Sequence, residues 1–301
     1  MPGRLLWRRS RAAGCAVSQP LPADLVRLAS AAAQEAGELL LARHGRVAVV
    51  QTKSSPTDVV TEMDHAAETL IRERLLAARP GDAILGEEGG QTGAGPVRWI
   101  VDPIDGTVNY LYELPGWAVS VAAEVGGVIV AGAVCVPQQR STFTATLGGG
   151  AWLESAWEGN SPRRLSCNRE VGLSDALVAT GFGYASAQRA DQGRVVAAVL
   201  PRVRDIRRAG VAAVDLCSVA AGRVDAYYER GLHYWDIAAG GLIAREAGAM
   251  TGDLRGGEAC EAMTLAAAPG LFGELRDLLA SLDAEPPAQR LRRPLIAGKT
   301  G

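Results

Sequence analysis

The sequence predicts a layered α/β fold, an αβαβα sandwich. Three observations carry that prediction. Two helical patterns open the chain, β-rich segments fill 99–153, and helical and strand patterns alternate over 176–282. Helices and sheets that each bury one face settle into such layers.

Taken in order, the first element runs from Asp24 to His44. Leu25, Leu28, Ala32, Ala36 and Leu39/Leu40 recur at three- and four-residue steps, and Gly45 follows as a stop. A second helix spans about Met63 to Arg79, with Ala67, Leu70, Ile71, Leu75 and Ala78 on one side; Pro80-Gly81 ends it. Between them, KSSPTDVVTEMD reads as a short strand and turn. From Trp99 the texture changes. WIVD, 117–125, 128–136 and 141–147 are β-rich and divided by Gly or Pro turns. Gly126-Gly127 and Gly148-Gly149-Gly150 suit hairpins. Strands at Ala176–Thr180, Val224–Glu229 and near Met263–Ala267 then alternate with helices at Gln188–Leu200, Val211–Ala221, Asp236–Ala247 and Leu271–Leu282. Residues 1–20 and 284–301 read as flexible tails. The stretch 21–283 reads as one domain, in two parts of about 21–155 and 156–283.

Composition narrows the function. The 301 residues are 48% hydrophobic and 21% charged, which is ordinary for a globular chain. The 31 Lys+Arg and 33 Asp+Glu give a net charge of −2, so a globally basic nucleic-acid binder is not indicated. The longest uncharged run, Val125 to Gln139, is broken by Gly126, Gly127, Gly132 and Pro137, and it reads as a buried strand rather than a membrane span. The basic N-terminus lacks a following apolar stretch, so no signal peptide is expected. Cys15, Cys135, Cys167, Cys217 and Cys260 show no CxxC spacing, which suits reduced thiols in the cytoplasm.

The chemistry is sought where acids stand in apolar, glycine-bounded contexts. In WIVDPIDGT (99–107) a hydrophobic strand runs into Asp102 and Asp105, with Pro103 and Gly106 fixing a turn. Acids at a buried strand end are costly unless neutralised, and a divalent cation turns their repulsion into attraction. Mg²⁺ takes hard oxygen donors, the Ile104 carbonyl among them. A strand exit with two solvated acids fits this segment alone equally well. In ILGEEGG (84–90) an apolar strand again ends in acids, Glu87 and Glu88. In YWDIAAGG (234–241) Asp236 stands at a helix start, where N-capping is the plain alternative. In KSSPTDVVT (53–61) Asp58, flanked by Val59-Val60, can pair with Thr107 to orient and deprotonate a water; a turn-forming Asp is the alternative.

Together these blocks closely resemble the inositol monophosphatase family, over roughly 25–282. WIVDPIDGTVNY resembles its first signature and WDIAAGGLIAREAGA its second. GEE at 86–88, KSSPTDVVT and the stretch RRAGVAAVDLCSVAAGRVDAYYERGLHYWD also match, in order. The resemblance implies a Mg²⁺-dependent phosphomonoesterase with two or three ions. Glu87, Asp102, the Ile104 carbonyl, Asp105 and Asp236 are implied as metal ligands. Asp58, Thr107 and Glu87 are the implied catalytic residues, with Asp58 and Thr107 positioning the attacking water. Gly106 and Thr107 open a helix whose N–H groups would hold the phosphate. Val211, Ala212, Ala213, Glu229 and Asp236 would face the alcohol half. Glu229 suits the hydroxyls of inositol 1-phosphate or a similar polyol phosphate. Val211 stands where some inositol-specific members have a hydroxyl-bearing residue.

Histidinol phosphate is the alternative substrate, because its amine would pair with Glu229. Fructose 1,6-bisphosphate and 3′-phosphoadenosine 5′-phosphate fit less well, since Glu229 repels a second phosphate. No GxSxG elbow and no P-loop occurs, and His44, His65 and His233 are too dispersed for a histidine metal site. Gly89–Gly95 reads as a mobile flap over the site. The resemblance also implies a homodimer. A scaffold that binds RNA or protein is the rival of a different class. It rests on the Arg-rich tails and on Arg202, Arg204, Arg207 and Arg208.

Overall fold

A computed structural model describes residues 21–45, 49–52, 59–159 and 161–282. Its first layer is a helix pair, α1 (Pro22–Arg43) and α2 (Glu62–Ala78). Pro22 sits in the first turn of α1, where its missing N–H costs nothing. The buried face of α1 is Leu25, Ala29, Ala32, Ala33, Ala36, Gly37 and Leu40. Those small side chains let the helix lie close to the sheet beneath. Between the two helices a small antiparallel hairpin forms from β1 (Val49–Thr52) and β2 (Val59–Thr61).

The second layer is an eight-stranded sheet. It contains β3 (Ala83–Gly86), β4 (Gly90–Thr92), β5 (Val97–Asp105), β6 (Ala118–Val125), β7 (Val128–Val136), β8 (Ser141–Thr146), β9 (Gly150–Ser155) and β10 (Arg163–Arg164). Their spatial order is β10-β9-β8-β7-β6-β5-β3-β4. All neighbours are antiparallel except β3 and β5. A five-residue helix, α3 (Thr107–Leu111), leaves the end of β5.

The middle layer is α5 (Ala212–Ala220) and α6 (Tyr234–Glu246), which lie between the two sheets. The second sheet has the order β12-β11-β13-β15-β14, built from β11 (Leu177–Thr180), β12 (Asp205–Arg207), β13 (Ala226–Glu229), β14 (Met250–Gly252) and β15 (Thr264–Ala267). The last layer is α4 (Ser186–Val199) and α7 (Pro269–Ser281). The order of layers is thus helix pair, sheet, helix pair, sheet, helix pair, as the sequence predicts.

Alternation along β5 shows how the layers are glued. Val97, Trp99 and Val101 enter the cluster under α1 and α2, while Ile100 enters the cluster shared with α5 and α6. Burying apolar surface on both faces drives this central placement. The short strands β4, β10, β12 and β14 carry no alternation long enough to read, and the sequence does not foretell them.

The chain beyond residues 21 and 282, including both predicted tails and Cys15, lies outside the described residues. So do 46–48, 53–58 and 160. No described helix is long and apolar enough to cross a membrane.

Candidate active site

The site is built around a defect in β5. Asp102 pairs with Ser120 on β6, but the next printed pair is Asp105 with Ala118. Three steps on one strand oppose two on the other, which is a bulge. In a regular strand residues three apart face opposite sides; the bulge turns both acids to the side of α5 and α6. Pro103, which has no N–H to donate, sits inside it. Asp102 is 1% exposed, and its Oδ1 accepts the Ile104 N–H at 3.1 Å. Asp105 accepts the N–H groups of Ala212 at 3.3 Å and Ala213 at 2.6 Å. Its negative charge therefore sits on the first turn of α5, where N–H groups lack partners within the helix.

Gly106 follows with φ +94°, a left-handed conformation in which a side chain is strained. A Cβ there would also stand 2.8 Å from Val211 Cγ2. Val211, expected to face the alcohol, is buried against this turn at 1% exposure, and the amides of Ala212 and Ala213 are engaged by Asp105.

Thr107 donates its hydroxyl toward Asp64 Oδ1 and the Ile104 carbonyl, both at 3.1 Å. The sequence reading paired Thr107 with Asp58, which lies outside the described residues; the partner seen is Asp64. Asp64 is 1% exposed, and its other oxygen accepts Thr61 N–H at 2.7 Å and the Thr61 hydroxyl at 2.6 Å. The signal was present as Thr61-Glu62-Met63-Asp64, a capping box that starts α2.

Glu87 and Glu88 occupy the turn from β3 to β4. The turn is held by Glu68 and Arg72 of α2, which the sequence reading missed. Glu68 accepts Glu88 N–H at 2.7 Å and Gly89 N–H at 2.8 Å. Arg72 Nε donates to Glu68 at 2.7 Å, and its Nη2 to the Gly90 carbonyl at 2.6 Å. Gly86 is required for this, since a Cβ would fall 2.4 Å from the Glu68 carboxylate. Part of Gly89–Gly95, expected as a flap, is built into the sheet edge. Gly90–Thr92 is strand β4, paired to β3, and Arg72 Nη1 holds Thr92 at 2.8 Å.

Asp236 is the third residue of α6, not its N-cap. Its Oδ2 accepts the His233 N–H at 2.7 Å, closing the helix start from inside. His233 stacks on Trp235 with centroids 4.9 Å apart and supports the turn. At the far side Glu229, the last residue of β13, accepts the Tyr227 hydroxyl at 2.6 Å. Asp215 on α5, also missed from sequence, is 4% exposed, and its Oδ2 has no hydrogen-bond partner.

Electrostatics shows what was assembled. Burial, then the charges of Glu87, Asp105 and Asp236, raises the Asp102 carboxyl well above its usual range. Burial and then Asp236 do the same to Asp105, against the pull of the Ala213 N–H. Asp236 is pushed up to about 7 by burial and Glu87. Asp64 is pushed up to about 6 by burial, against its Thr61 hydrogen bonds, with Glu87 and Glu88 adding to the rise. Among the described residues, Asp102, Asp105 and Asp236 form no ion pair. Neighbouring buried carboxylates without a cationic partner raise one another's pKa.

That donor set suits a hard divalent cation: carboxylate oxygens and a main-chain carbonyl, with no sulfur and no imidazole among them. Among the described residues no group of three or more acids is yet drawn together in ligating geometry. The side chains are close enough for their charges to act on one another but do not form a closed shell.

Fold and site define a class: a five-layered α/β protein with buried acids gathered where the end of β5 meets the first turns of α5 and α6. The comparisons agree. The model of the inositol monophosphatase family matches residues 22–286. The chain is 46% identical over 272 residues to the inositol-1-monophosphatase SuhB of Mycobacterium tuberculosis, covering 84% of this chain and 92% of that one. It is 38% identical over 240 residues to the Nus factor SuhB of Pseudomonas aeruginosa, covering 77% and 86%. The solved structure of M. tuberculosis SuhB superposes with a TM-score of 0.74 at 44% identity, covering 87% and 98%. This chain belongs to the inositol monophosphatase family, and its activity is that of a phosphatase of that type.

Proposed function

We propose that the protein is a Mg²⁺-dependent phosphomonoesterase that hydrolyses inositol 1-phosphate or a similar small polyol phosphate. The observation that carries the reading is the gathering of Glu87, Asp102, Asp105 and Asp236 around one cleft, with no ion pair to Asp102, Asp105 or Asp236 among the described residues. Those four side chains and the Ile104 carbonyl would hold two or three Mg²⁺. When bound, Mg²⁺ supplies a more acidic water, charge neutralisation on the phosphate and stabilisation of the leaving alkoxide.

The chain's own residues do the rest. Asp58 and Thr107, the latter hydrogen-bonded to Asp64, position the attacking water. The turn at Gly106 and Thr107 presents main-chain N–H groups to the phosphate. Glu68 and Arg72 keep Glu87 facing the cleft. Glu229 accepts a hydroxyl of the alcohol half while Tyr227 fixes its carboxylate. An acceptor there selects polyols, because a donor-bearing alcohol satisfies it and an apolar one leaves it bare. Histidinol phosphate is the second substrate, since a cationic amine also suits Glu229. The reading includes a homodimer and a cytoplasmic location, which gel filtration and cell fractionation test.

An RNA- or protein-binding role has one observation in its favour: relatives such as that of P. aeruginosa are called Nus factors. The arginines invoked for it are partly engaged. Arg204 pairs with Asp175 at 3.4 Å, Arg207 with Asp205 at 2.5 Å, and Arg208 lies 5.8 Å over the Phe182 ring.

The test is phosphate release from a panel of monoesters, with Mg²⁺ and with EDTA. Release from inositol 1-phosphate that requires Mg²⁺ is expected. Undiminished release in EDTA contradicts the metal role, and a preference for histidinol phosphate above about tenfold, roughly 1.4 kcal/mol, reverses the substrate order.

A further inference from the structure

The first turn of α6 carries Asp236, and it is tied down at the two residues just before that acid. Both ties end on β6. In the β5–β6 register Ser120 stands opposite Asp102, and Glu124 opposite Arg98. The Ser120 hydroxyl donates to the Trp235 carbonyl at 3.3 Å. The Tyr234 hydroxyl donates to Glu124 Oε2 at 2.7 Å, and Arg98 Nη2 donates to the same oxygen at 2.8 Å. Arg98 also lies 5.9 Å from the Tyr234 ring centroid. Ser120 and Glu124 are 1% and 7% exposed. Four residues apart on one strand, they point to the same side, toward α6.

The geometry has a mechanical consequence. A helix end held at one point can pivot; held at two successive residues it cannot. The strand that holds it is the immediate neighbour of β5, which carries Asp102. When ionised together, Asp236, Asp102 and Glu87 repel one another, so a cation shared among them needs the α6 turn held in place against that push. A tyrosine donating to an ionised, arginine-paired glutamate is a charge-assisted bond and resists such a push. Burial alone would raise the Glu124 carboxyl; the bonds from Arg98 and Tyr234 hold it below its usual value instead.

We propose that Ser120 and the Tyr234–Glu124–Arg98 chain form a two-point clamp that fixes the separation of Asp236 from Asp102 and thereby sets the affinity of the site for its divalent cation. None of these four residues carries an assigned part in the chemistry; they are positioning residues. The proposal rests on the reading of the acids as cation ligands.

The test uses the full chain with Tyr234→Phe, which removes one hydroxyl, and Ser120→Ala, which removes the other tie. Ser141→Ala is the control, because it deletes a buried hydroxyl pair with Ser155 (2.9 Å) between β8 and β9, outside the clamp. Two quantities are read: the Mg²⁺ concentration that half-saturates phosphate release, and the rise in melting temperature that Mg²⁺ produces. Partners that orient metal ligands from behind are worth at least about tenfold in metal affinity, so Tyr234→Phe is expected to raise the half-saturating Mg²⁺ about tenfold and to change substrate KM at saturating metal by less than about twofold.

Ser120→Ala should move the same quantity in the same direction, and excess Mg²⁺ should restore most of kcat in both. Ser141→Ala should lower the metal-free melting temperature and leave the Mg²⁺ dependence alone. Wild-type Mg²⁺ half-saturation and a wild-type thermal shift in both clamp variants overturn the clamp. So does an equal change in Ser141→Ala, which marks a merely structural loss. A wild-type protein indifferent to Mg²⁺ in both readouts overturns the cation reading itself, and the clamp with it.

Discussion

The two ends of the cleft are built from the same residue type under opposite rules. At the β5 end, burial and then neighbouring acids raise the carboxyls of Asp102, Asp105 and Asp236, and these three have no ion pair among the described residues. At the β13 end, Glu229 and Asp215 share the field of Arg208, and Glu229 has a phenol donor in Tyr227. Burial pushes Glu229 up to about 6, but Tyr227 and Arg208 restrain it. The first end gathers acids whose mutual repulsion is relieved by a proton or, in the proposed reading, by a bound cation. The second supplies its own compensation, which in the proposed reading suits a neutral or cationic alcohol. Chemistry and selectivity are therefore separable by mutation.

The largest effect belongs to the β5 end. Asp102→Asn keeps the shape and deletes a fully buried acid. Phosphate release under saturating Mg²⁺ should fall by about a thousandfold or more, roughly 4 kcal/mol of transition-state stabilisation. A loss below tenfold would break the contrast between the ends.

Next comes the pair proposed to hold the attacking water, Thr107 and Asp64. Thr107→Ala and Asp64→Asn should each lower kcat by about a hundredfold, the low end for a positioned acid–base partner, and leave KM within about threefold. Their double variant should lose little more than either alone, because the two act through one hydrogen bond. Full additivity separates them.

A smaller effect is expected at the β13 end. Glu229→Gln keeps a hydroxyl acceptor but removes the charge. Its kcat/KM on inositol 1-phosphate should fall by about tenfold or less, and on histidinol phosphate by more, because the amine loses its counter-charge. Equal losses on both substrates erase the role of Glu229 in choice.

The smallest effect is on stability. Asp215 is pushed up to about 8, first by burial and then by Glu229, with Arg208 opposing. The folded chain thus holds this proton more tightly than the unfolded chain. The resulting stabilisation is complete below the unfolded pKa of about 4 and is lost as pH rises through about 8. In EDTA, the wild-type melting temperature should fall between those limits more steeply than that of Asp215→Asn, which cannot ionise. Parallel curves contradict the burial of a protonated Asp215.

Much of this was legible in the sequence, for physical reasons. β5, β6 and β7 are long enough to show apolar runs, and α1 and α2 show clear helical spacing, so the layers could be read. Asp102, Asp105 and Asp236 stood out because an acid beside an apolar run is unusual. The bulge between Asp102 and Asp105 was not legible: it depends on how β5 pairs with β6, and pairing is a long-range property. The part played by Asp64 was hidden for a similar reason: beside Thr61 it looks like an ordinary helix cap. It is a cap, and its second oxygen also reaches Thr107. Glu68 and Arg72 were hidden for the same reason, since on α2 alone they form a plain i,i+4 pair. Only the fold shows the β3–β4 turn resting on them.

The most direct measurement is a calorimetric titration of Mg²⁺ into the wild-type chain and into Asp102→Asn. The account predicts saturable binding of two or three ions to the wild type, and loss of at least one of them in the variant. Absence of binding to the wild type, or identical binding by Asp102→Asn, would contradict the claim that these buried acids are gathered to hold a cation.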